Sequence, residues 1–146
     1  MKPNRVTIRK FRIDDYDDVI RLWENAGIHY KPNGRENRAR MEREIKSGQA
    51  VFLVAAADNR IVGVVLGTHD GRKGWINRLA VTKEFRRQNI ASQLVSSVEV
   101  KLNELGIEII ACLIEPGNDI SKQFFNKLGY VKANVEYFSK KPTVDA

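Results

Sequence analysis

The stretch Leu79 to Ala91, LAVTKEFRRQNIA, passes from an apolar strand-like triplet through a basic turn into a helix. A helix N-terminus offers unpaired backbone N–H groups and about half a positive charge, so it binds anions, phosphate above all. Arg86 and Arg87 stand at that same end, where the helix dipole alone disfavours cations. Their guanidinium donors fit there if an anion sits between them. A second cluster, Asp14, Asp15, Asp17 and Asp18, has the residue type of a metal site. It also falls where a helix begins, with Asp14 placed to cap and the others at the positive dipole end, and this reading leaves no metal ligand set. Cys112, the only cysteine, lies in an apolar run, which excludes an internal disulfide and gives no reason to propose a thiol nucleophile.

The elements that must position these residues follow from periodicity and turn chemistry. Arg5 to Ile13 reads as a strand, with a slip in its alternation that suggests a bulge. Val19, Leu22, Trp23 and Ala26 keep the helical period, and Gly27 stops it. The loop IHYKPNG leads to a second helix predicted over Glu36 to Lys46. There Arg38 and Glu42, Arg40 and Glu44, and Glu42 and Lys46 are opposite charges four apart, the pattern of a solvated face. Three strands follow: Ala50 to Ala57, Ile61 to Thr68 with Gly63 marking a bulge or close approach, and Trp75 to Val81. Asp58-Asn59 and Asp70-Gly71 turn between them, so the three form an antiparallel meander. Ile90, Leu94, Val95, Val98 and Leu102 define a strong helix ended by Gly106. A buried strand is predicted from Ile107 to Ile114, then a short helix with Asn118 or Asp119 as cap, stopped by Gly129. Tyr130 to Phe138 alternates again and predicts a last strand. Antiparallel strands first and a helical crossover later give an α+β class, a mixed and mostly antiparallel central sheet with helices on both faces.

A chain of 146 residues, 42% apolar and 29% charged, is one domain spanning 1–146 with enough surface to bury for a core. The longest apolar run, Ala50 to Ala57, is far short of the ~18 residues of a membrane span, and no membrane partner is expected. Charges in MKPNRVTIRKF stand where a signal peptide needs its apolar segment, so with a single cysteine the expected compartment is cytoplasmic. The net charge of +7, with an isoelectric point near 9.7, draws polyanions. Interleaved charges, and no aromatic-basic surface motif, argue against nucleic acid.

Val81, Phe85-Arg86 and Ile90-Ala91 resemble the acyl-CoA-binding motif of the GNAT superfamily of N-acyltransferases, in which a strand ends in a Leu-x-Val-like triplet before Arg/Gln-x-x-Gly-x-Gly/Ala and a helix. Here that segment reads Arg86-Arg87-Gln88-Asn89-Ile90-Ala91. Asn118, Ser121, Phe124-Phe125 and Leu128-Gly129-Tyr130 resemble the second family segment, at the expected separation, and the element order is that of the GNAT fold. The resemblance implies acetyl-CoA as acyl donor and an N-acetyltransferase that passes the acetyl group to a primary amine by direct attack. It implies main-chain pairing of Leu79, Ala80 and Val81 with the pantetheine arm in the manner of an added strand. Main-chain N–H groups of Arg86, Arg87, Gln88, Asn89, Ile90 and Ala91, with Ser92, would cradle the pyrophosphate. Asn118 would hold the arm from the far side of a cleft between the third and fourth of the meander-and-crossover strands, and Phe125 and Lys127 would touch the cofactor.

Three positions depart from the family pattern. Arg87 and Asn89 stand where glycines are usual; asparagine tolerates left-handed backbone, whereas arginine conflicts with any requirement for positive φ. Phe125 replaces a tyrosine that protonates the leaving thiolate in many members. A thiolate with pKa ~8.5 leaves readily without help. Trp75 stands where some members carry a general-base glutamate. An ammonium with pKa ~10 must still lose a proton before attack, and Glu115, at the end of a buried strand, is the candidate base. A backbone N–H near Leu79 or Ala80 would meet the oxyanion. His29 and Tyr30 are placed to contact the acceptor, and Glu84 to pair with one of the arginines. The alternative is a CoA-binding regulatory module of the same fold without catalysis. Either a monomer or a homodimer is compatible.

Overall fold

The computed structural model describes residues 5–146; the first four, which open the charged N-terminal stretch, lie outside them. Five strands form one sheet in the order β1-β2-β3-β4-β5: β1 Thr7–Lys10, β2 Ala50–Ala57, β3 Arg60–His69, β4 Lys73–Val81 and β5 Ile109–Cys112. The first four are antiparallel neighbours, and β5 lies parallel to β4. Four helices flank the sheet: α1 Tyr16–Ala26, α2 Arg38–Ser47, α3 Ile90–Glu104 and α4 Asp119–Lys127.

Strand alternation divides the core into two layers. Phe52 and Val54 of β2 and Val64 and Leu66 of β3 meet Val19, Leu22 and Trp23 of α1 and Met41 of α2. Val51, Leu53 and Ala55, with Val65 of β3, turn the other way onto Ile90, Leu94, Val98 and Leu102 of α3 and Phe125 of α4. α3 can lie close to the sheet because β3 and β4 offer it glycines. A methyl on Gly67 would sit 2.8 Å from Val98 Cγ1, and one on Gly74 2.7 Å from Leu102 Cδ1. The β2–β3 turn has Asp58 and Asn59 both at positive φ, the two-residue geometry whose twist matches paired strands. The irregularity expected beside Gly63 is a bulge, with Ala55 opposite Gly63 and Ala56 opposite Ile61.

Several expectations are corrected. The terminal strands are shorter than their apolar runs, because β1 pairs only over four residues and β5 leaves β4 after Cys112. Asp14 does not cap α1: it sits in a 3-10 turn, Ile13–Asp15, while Asp15 accepts hydrogen bonds from the Arg12 N–H (2.9 Å) and the Arg9 guanidinium (2.7 and 2.9 Å). On α2 only Glu42 and Lys46 form their ion pair (3.2 Å); Arg38 lies over the Tyr16 ring instead. Tyr130 to Phe138 is not a strand. Alternation supplies a face but not a partner, and no strand of the described chain pairs with it.

Candidate active site

β4 and β5 pair from Lys73 opposite Ile109 to Ile76 opposite Cys112, and no further. From Asn77 to Val81, β4 has β3 on one side and, among the described residues, no strand on the other, which leaves an edge of main-chain groups facing the gap where β5 has left the ladder. Within this half β4 is also bulged. Val64 pairs with Ala80 and Leu66 with Asn77, so two residues, Arg78 and Leu79, stand opposite Val65 alone. Arg78 takes φ +55°, a left-handed conformation costly for a side chain of its size. Three contacts hold it there. The Trp23 indole N–H donates to its carbonyl (3.1 Å), and its guanidinium donates twice to the buried Glu36 Oε1 (3.2 and 3.1 Å). Glu36 is in turn held by the Lys31 N–H (2.8 Å). Nothing in the local sequence marks this bulge, since an arginine in a strand announces no positive φ.

Beyond Val81 the chain makes a 3-10 turn, Lys83–Phe85, whose Phe85 is buried, and then enters α3. Arg87 and Asn89 have φ +68° and +61°. The two positions where glycine is usual are therefore left-handed here, and arginine occupies one of them. Alternating backbone of this kind turns successive N–H groups into one concavity, an anion nest. The N-cap residue Asn89 makes no side-chain capping bond, and the first intrahelical bond is that of the Gln93 N–H to the Asn89 carbonyl (3.0 Å). Among the described residues no acceptor lies against the N–H groups of Arg87 through Ser92. Arg86 to Asn89 are exposed, Ala91 and Ser92 half-buried, and Ile90 is buried in the core so that only its main chain faces the turn. The Arg86 Nε donates to the Val81 carbonyl (3.3 Å), tying the turn to the end of β4. Glu84 pairs with Arg60 (3.0 Å), not with either arginine of the turn, which leaves both guanidinium groups free of carboxylate partners among the described residues.

On the far side of the gap, Asn118 caps α4, its Oδ1 accepting from the Ser121 N–H (3.2 Å) and its carboxamide nitrogen remaining a donor. Phe125 is buried in the same cluster as Val81 and Ile90, with Leu79, Ala91 and Ile114 packed against it. Lys127 is exposed at the end of α4. Tyr130 packs edge-on against Phe125, ring centroids 5.2 Å apart, and its hydroxyl donates to Glu99 Oε2 (2.8 Å). Burial and that hydrogen bond push the phenol far above its ordinary range, and Glu99 lies roughly 13 Å along α3 from its N-terminus. Tyr130 therefore does not stand in for the missing tyrosine. Glu115 is exposed, three residues beyond the end of β5.

Sequence reasoning missed a cavity of about 310 Å³ on the opposite face, between α2 and strands β2 to β4. It reaches the bulge at Asn77 and Arg78, and Glu36, Glu44, Thr68 and His69 also line it. Burial, with Glu36 nearby, raises the Glu44 carboxyl above its usual range, and Arg35 only partly opposes this. The available signal was the spacing of Glu44 three residues from Met41, on the inward face of α2, against its reading as half of a surface pair. His69 is fixed at the rim: Nδ1 accepts from the Gly71 N–H (3.1 Å) and Nε2 lies 3.2 Å from the Gly48 carbonyl. His29 is exposed in the α1–α2 loop, and Tyr30 stacks on Trp23 with its hydroxyl donating to Glu24 (2.8 Å). No group of three or more metal-binding side chains exists among the described residues, and none of their helices is long and apolar enough to cross a membrane.

Known proteins share this fold. The PaiA N-acetyltransferase of Thermoplasma acidophilum, solved with coenzyme A, superposes with a TM-score of 0.78 at 20% identity over 90% of this chain and 93% of its own. The aminoglycoside acetyltransferase AAC(6')-Iy, solved with a bisubstrate analogue, gives 0.78 at 17% identity over 95% and 99%. An acetyltransferase of Clostridium acetobutylicum with acetyl-CoA gives 0.76 at 16% over 94% and 96%. In sequence, an acetyltransferase of Photorhabdus laumondii is 35% identical over 140 residues, 94% of this chain and 96% of its own length. The model of the acetyltransferase (GNAT) family matches residues 16–130. With the splayed β4–β5 gap, the left-handed turn and the uncapped α3 already in place, the chain belongs to the GNAT family, the acetyl-CoA-dependent N-acetyltransferases.

Proposed function

We propose that the splayed gap takes acetyl-CoA from one face of the sheet and that the cavity beside α2 takes the amine from the other, the two meeting at the β4 bulge. The observation that carries this reading is that Asn77 and Arg78 belong both to the unpaired edge of β4 and to the lining of the cavity containing Glu44. Bound acetyl-CoA supplies an activated acyl carbon with a thiolate as leaving group. The chain's own residues do the rest. The N–H groups from Arg87 to Ser92, with the Arg86 and Arg87 guanidinium groups, bind the phosphates, while the Arg86 N–H is already given to the Lys83 carbonyl (3.3 Å). The free edge of Leu79, Ala80 and Val81 orients the arm as an added strand would. The Asn118 carboxamide closes the far side, with Phe125 as an apolar wall and Lys127 at the rim.

Glu44 then accepts the proton of the incoming ammonium, directly or through water. Burial raises the Glu44 carboxyl above its ordinary range, which makes its carboxylate a better base than a free one. Glu36 is ion-paired with Arg78 (3.1 Å), so Glu44 is the lining carboxylate without an ion pair among the described residues. Glu115 remains the second candidate, from the gap side. A cavity of about 310 Å³ fits one amine-bearing arm or a small molecule. The half-buried free Cys112 suits a reducing cytoplasm.

The test is release of free CoA from acetyl-CoA across a panel of primary amines, for wild type, Glu44→Gln and Glu115→Gln. Loss of roughly 10²–10⁴-fold in kcat/KM with unchanged CoA affinity is expected for Glu44→Gln. Full activity in that variant, with loss in Glu115→Gln, transfers the role to Glu115.

A further inference from the structure

The cavity beside α2 carries four charged side chains, Arg35, Glu36, Glu44 and Arg78. Two of them satisfy each other: Arg78 pairs with the buried Glu36 (3.1 Å). The other two have no ion-pair partner among the described residues, and they do not pair with one another. Yet Arg35 is close enough to Glu44 to oppose the upward pull of burial on its carboxyl. One cation and one anion therefore stand near each other but apart, at a space open to a small molecule. A ligand carrying the opposite two charges would bridge them with charge-assisted hydrogen bonds at both ends. Beside this pair the lining is apolar, with Met41, Phe52 and Leu66 only 1%, 5% and 4% exposed. The volume of about 310 Å³ lies at the small end of ligand sites, enough for one amino acid and too little for a chain of sugars.

We infer that the acceptor is a free α-amino acid with an apolar side chain, its ammonium on Glu44, its carboxylate on the Arg35 guanidinium and its side chain against Met41, Phe52 and Leu66. This rests on the reading of the cavity as the acceptor site. Arg35 is exposed and Glu44 half-buried, so the carboxylate keeps its contact with water while the amine goes deeper. The two charges of an α-amino acid are separated by a single carbon, which suits residues that sense one another without touching. A polyamine or a polycationic sugar would set a second cation against Arg35, on a chain already at +7. A peptide N-terminus has an amide where Arg35 needs a carboxylate. In the transfer the amine nitrogen bonds the acetyl carbon as the carbon–sulfur bond breaks. Of the two protons that the nitrogen gives up, one passes through Glu44 to water and the other ends on the departing thiolate. The N-acetylated product keeps its carboxylate but has no cation for Glu44, so it is held at one end only and leaves.

Leucine, leucinamide and 3-methylbutylamine share one side chain and differ in the group that Arg35 would hold. With acetyl-CoA as donor and release of free CoA as the readout, kcat/KM is expected to be roughly ten- to a hundredfold higher for leucine than for either of the others, mostly through KM. The amine of leucinamide is less basic than that of leucine, so ease of deprotonation works against this order. Arg35→Gln should bring the ratio of leucine to leucinamide near one, and Arg35→Lys should keep part of it. Calorimetric titration of the CoA-saturated protein with leucine reads the same dependence without turnover. Equal or better use of leucinamide by wild type, or a preference for leucine that survives Arg35→Gln, overturns the inference. A preference that depends on Arg35 while Glu44→Gln stays fully active removes the base and leaves the substrate class standing. If no amine is acetylated, the proposed function fails and the titration decides: leucine binding lost in Arg35→Gln supports the amino-acid site, and no binding by wild type overturns it.

Discussion

Arg87 separates the role of the phosphate turn's backbone from that of its side chains. With φ +68° it occupies a region that costs an ordinary L-residue about 1–2 kcal/mol. Arg87→Gly removes that cost and returns about 0.5–1 kcal/mol through the greater freedom of the unfolded chain. The guanidinium is exposed and forms no ion pair among the described residues, so its loss adds little. The net expectation is stabilisation of about 0.5–1 kcal/mol, a rise of roughly 1–4 °C in Tm for a domain of this size. Arg87→Val, by contrast, places a β-branched residue in the same region and should lower Tm. Thermal unfolding followed by circular dichroism, with urea titration of the same three proteins, reads both effects. If glycine destabilises and valine is neutral, position 87 is not left-handed and the nest of N–H groups argued from it does not exist.

Other parts of the account can be checked as directly. Glu36→Ala leaves the Arg78 guanidinium without its carboxylate and loosens the bulge; a loss of about 3 kcal/mol in urea unfolding is expected, the low end for a buried pair because Arg78 keeps part of its hydration. Burial alone would raise the Asp15 carboxyl, but the Arg9 guanidinium and the Arg12 N–H outweigh it and hold the group below its ordinary range. Asp15 therefore contributes stability above the unfolded carboxylate pKa of ~3.9 and loses it as pH falls through its lower folded value, so the gap between wild type and Asp15→Asn should close on acidification below pH ~4. Glu44 has the opposite sign. Its folded form holds the proton to higher pH, so the ionised group costs stability as pH rises above the ordinary carboxylate range, and Glu44→Gln should lie above wild type in Tm at neutral pH while the two converge near pH 4.

What could be read from the sequence is what local chemistry decides. Val19, Leu22 and Trp23 recur at helical spacing and are all buried, and Gly27 ends α1 at φ +70°. Asp70 accepts from the N–H groups of Arg72 and Lys73 at 2.8 Å each, as its place in a turn implies. The turn from β4 into α3 was legible for the same reason, since a basic loop before an apolar helix is a contiguous signal. The bulge at Arg78 was not, because Trp23 and Glu36 impose it from other elements. Glu44 escaped because the i, i+4 rule describes an isolated helix, and whether that face meets water depends on how α2 lies over β2 and β3. Tyr130 to Phe138 shows the converse: alternation is a property of a segment, whereas a strand is a property of a pair, and the second member is absent from the described chain.

The central claim is that the turn before α3 holds the phosphates of acetyl-CoA chiefly through its main chain. Calorimetric titration of wild type and of the Arg86→Ala, Arg87→Ala double variant with acetyl-CoA tests it. The account predicts micromolar binding by wild type and a loss of about ten- to a hundredfold in the double variant, whose backbone donors remain. A folded wild-type protein that takes up no acetyl-CoA would contradict it, and a double variant that binds as tightly as wild type would remove the two guanidinium groups from the site.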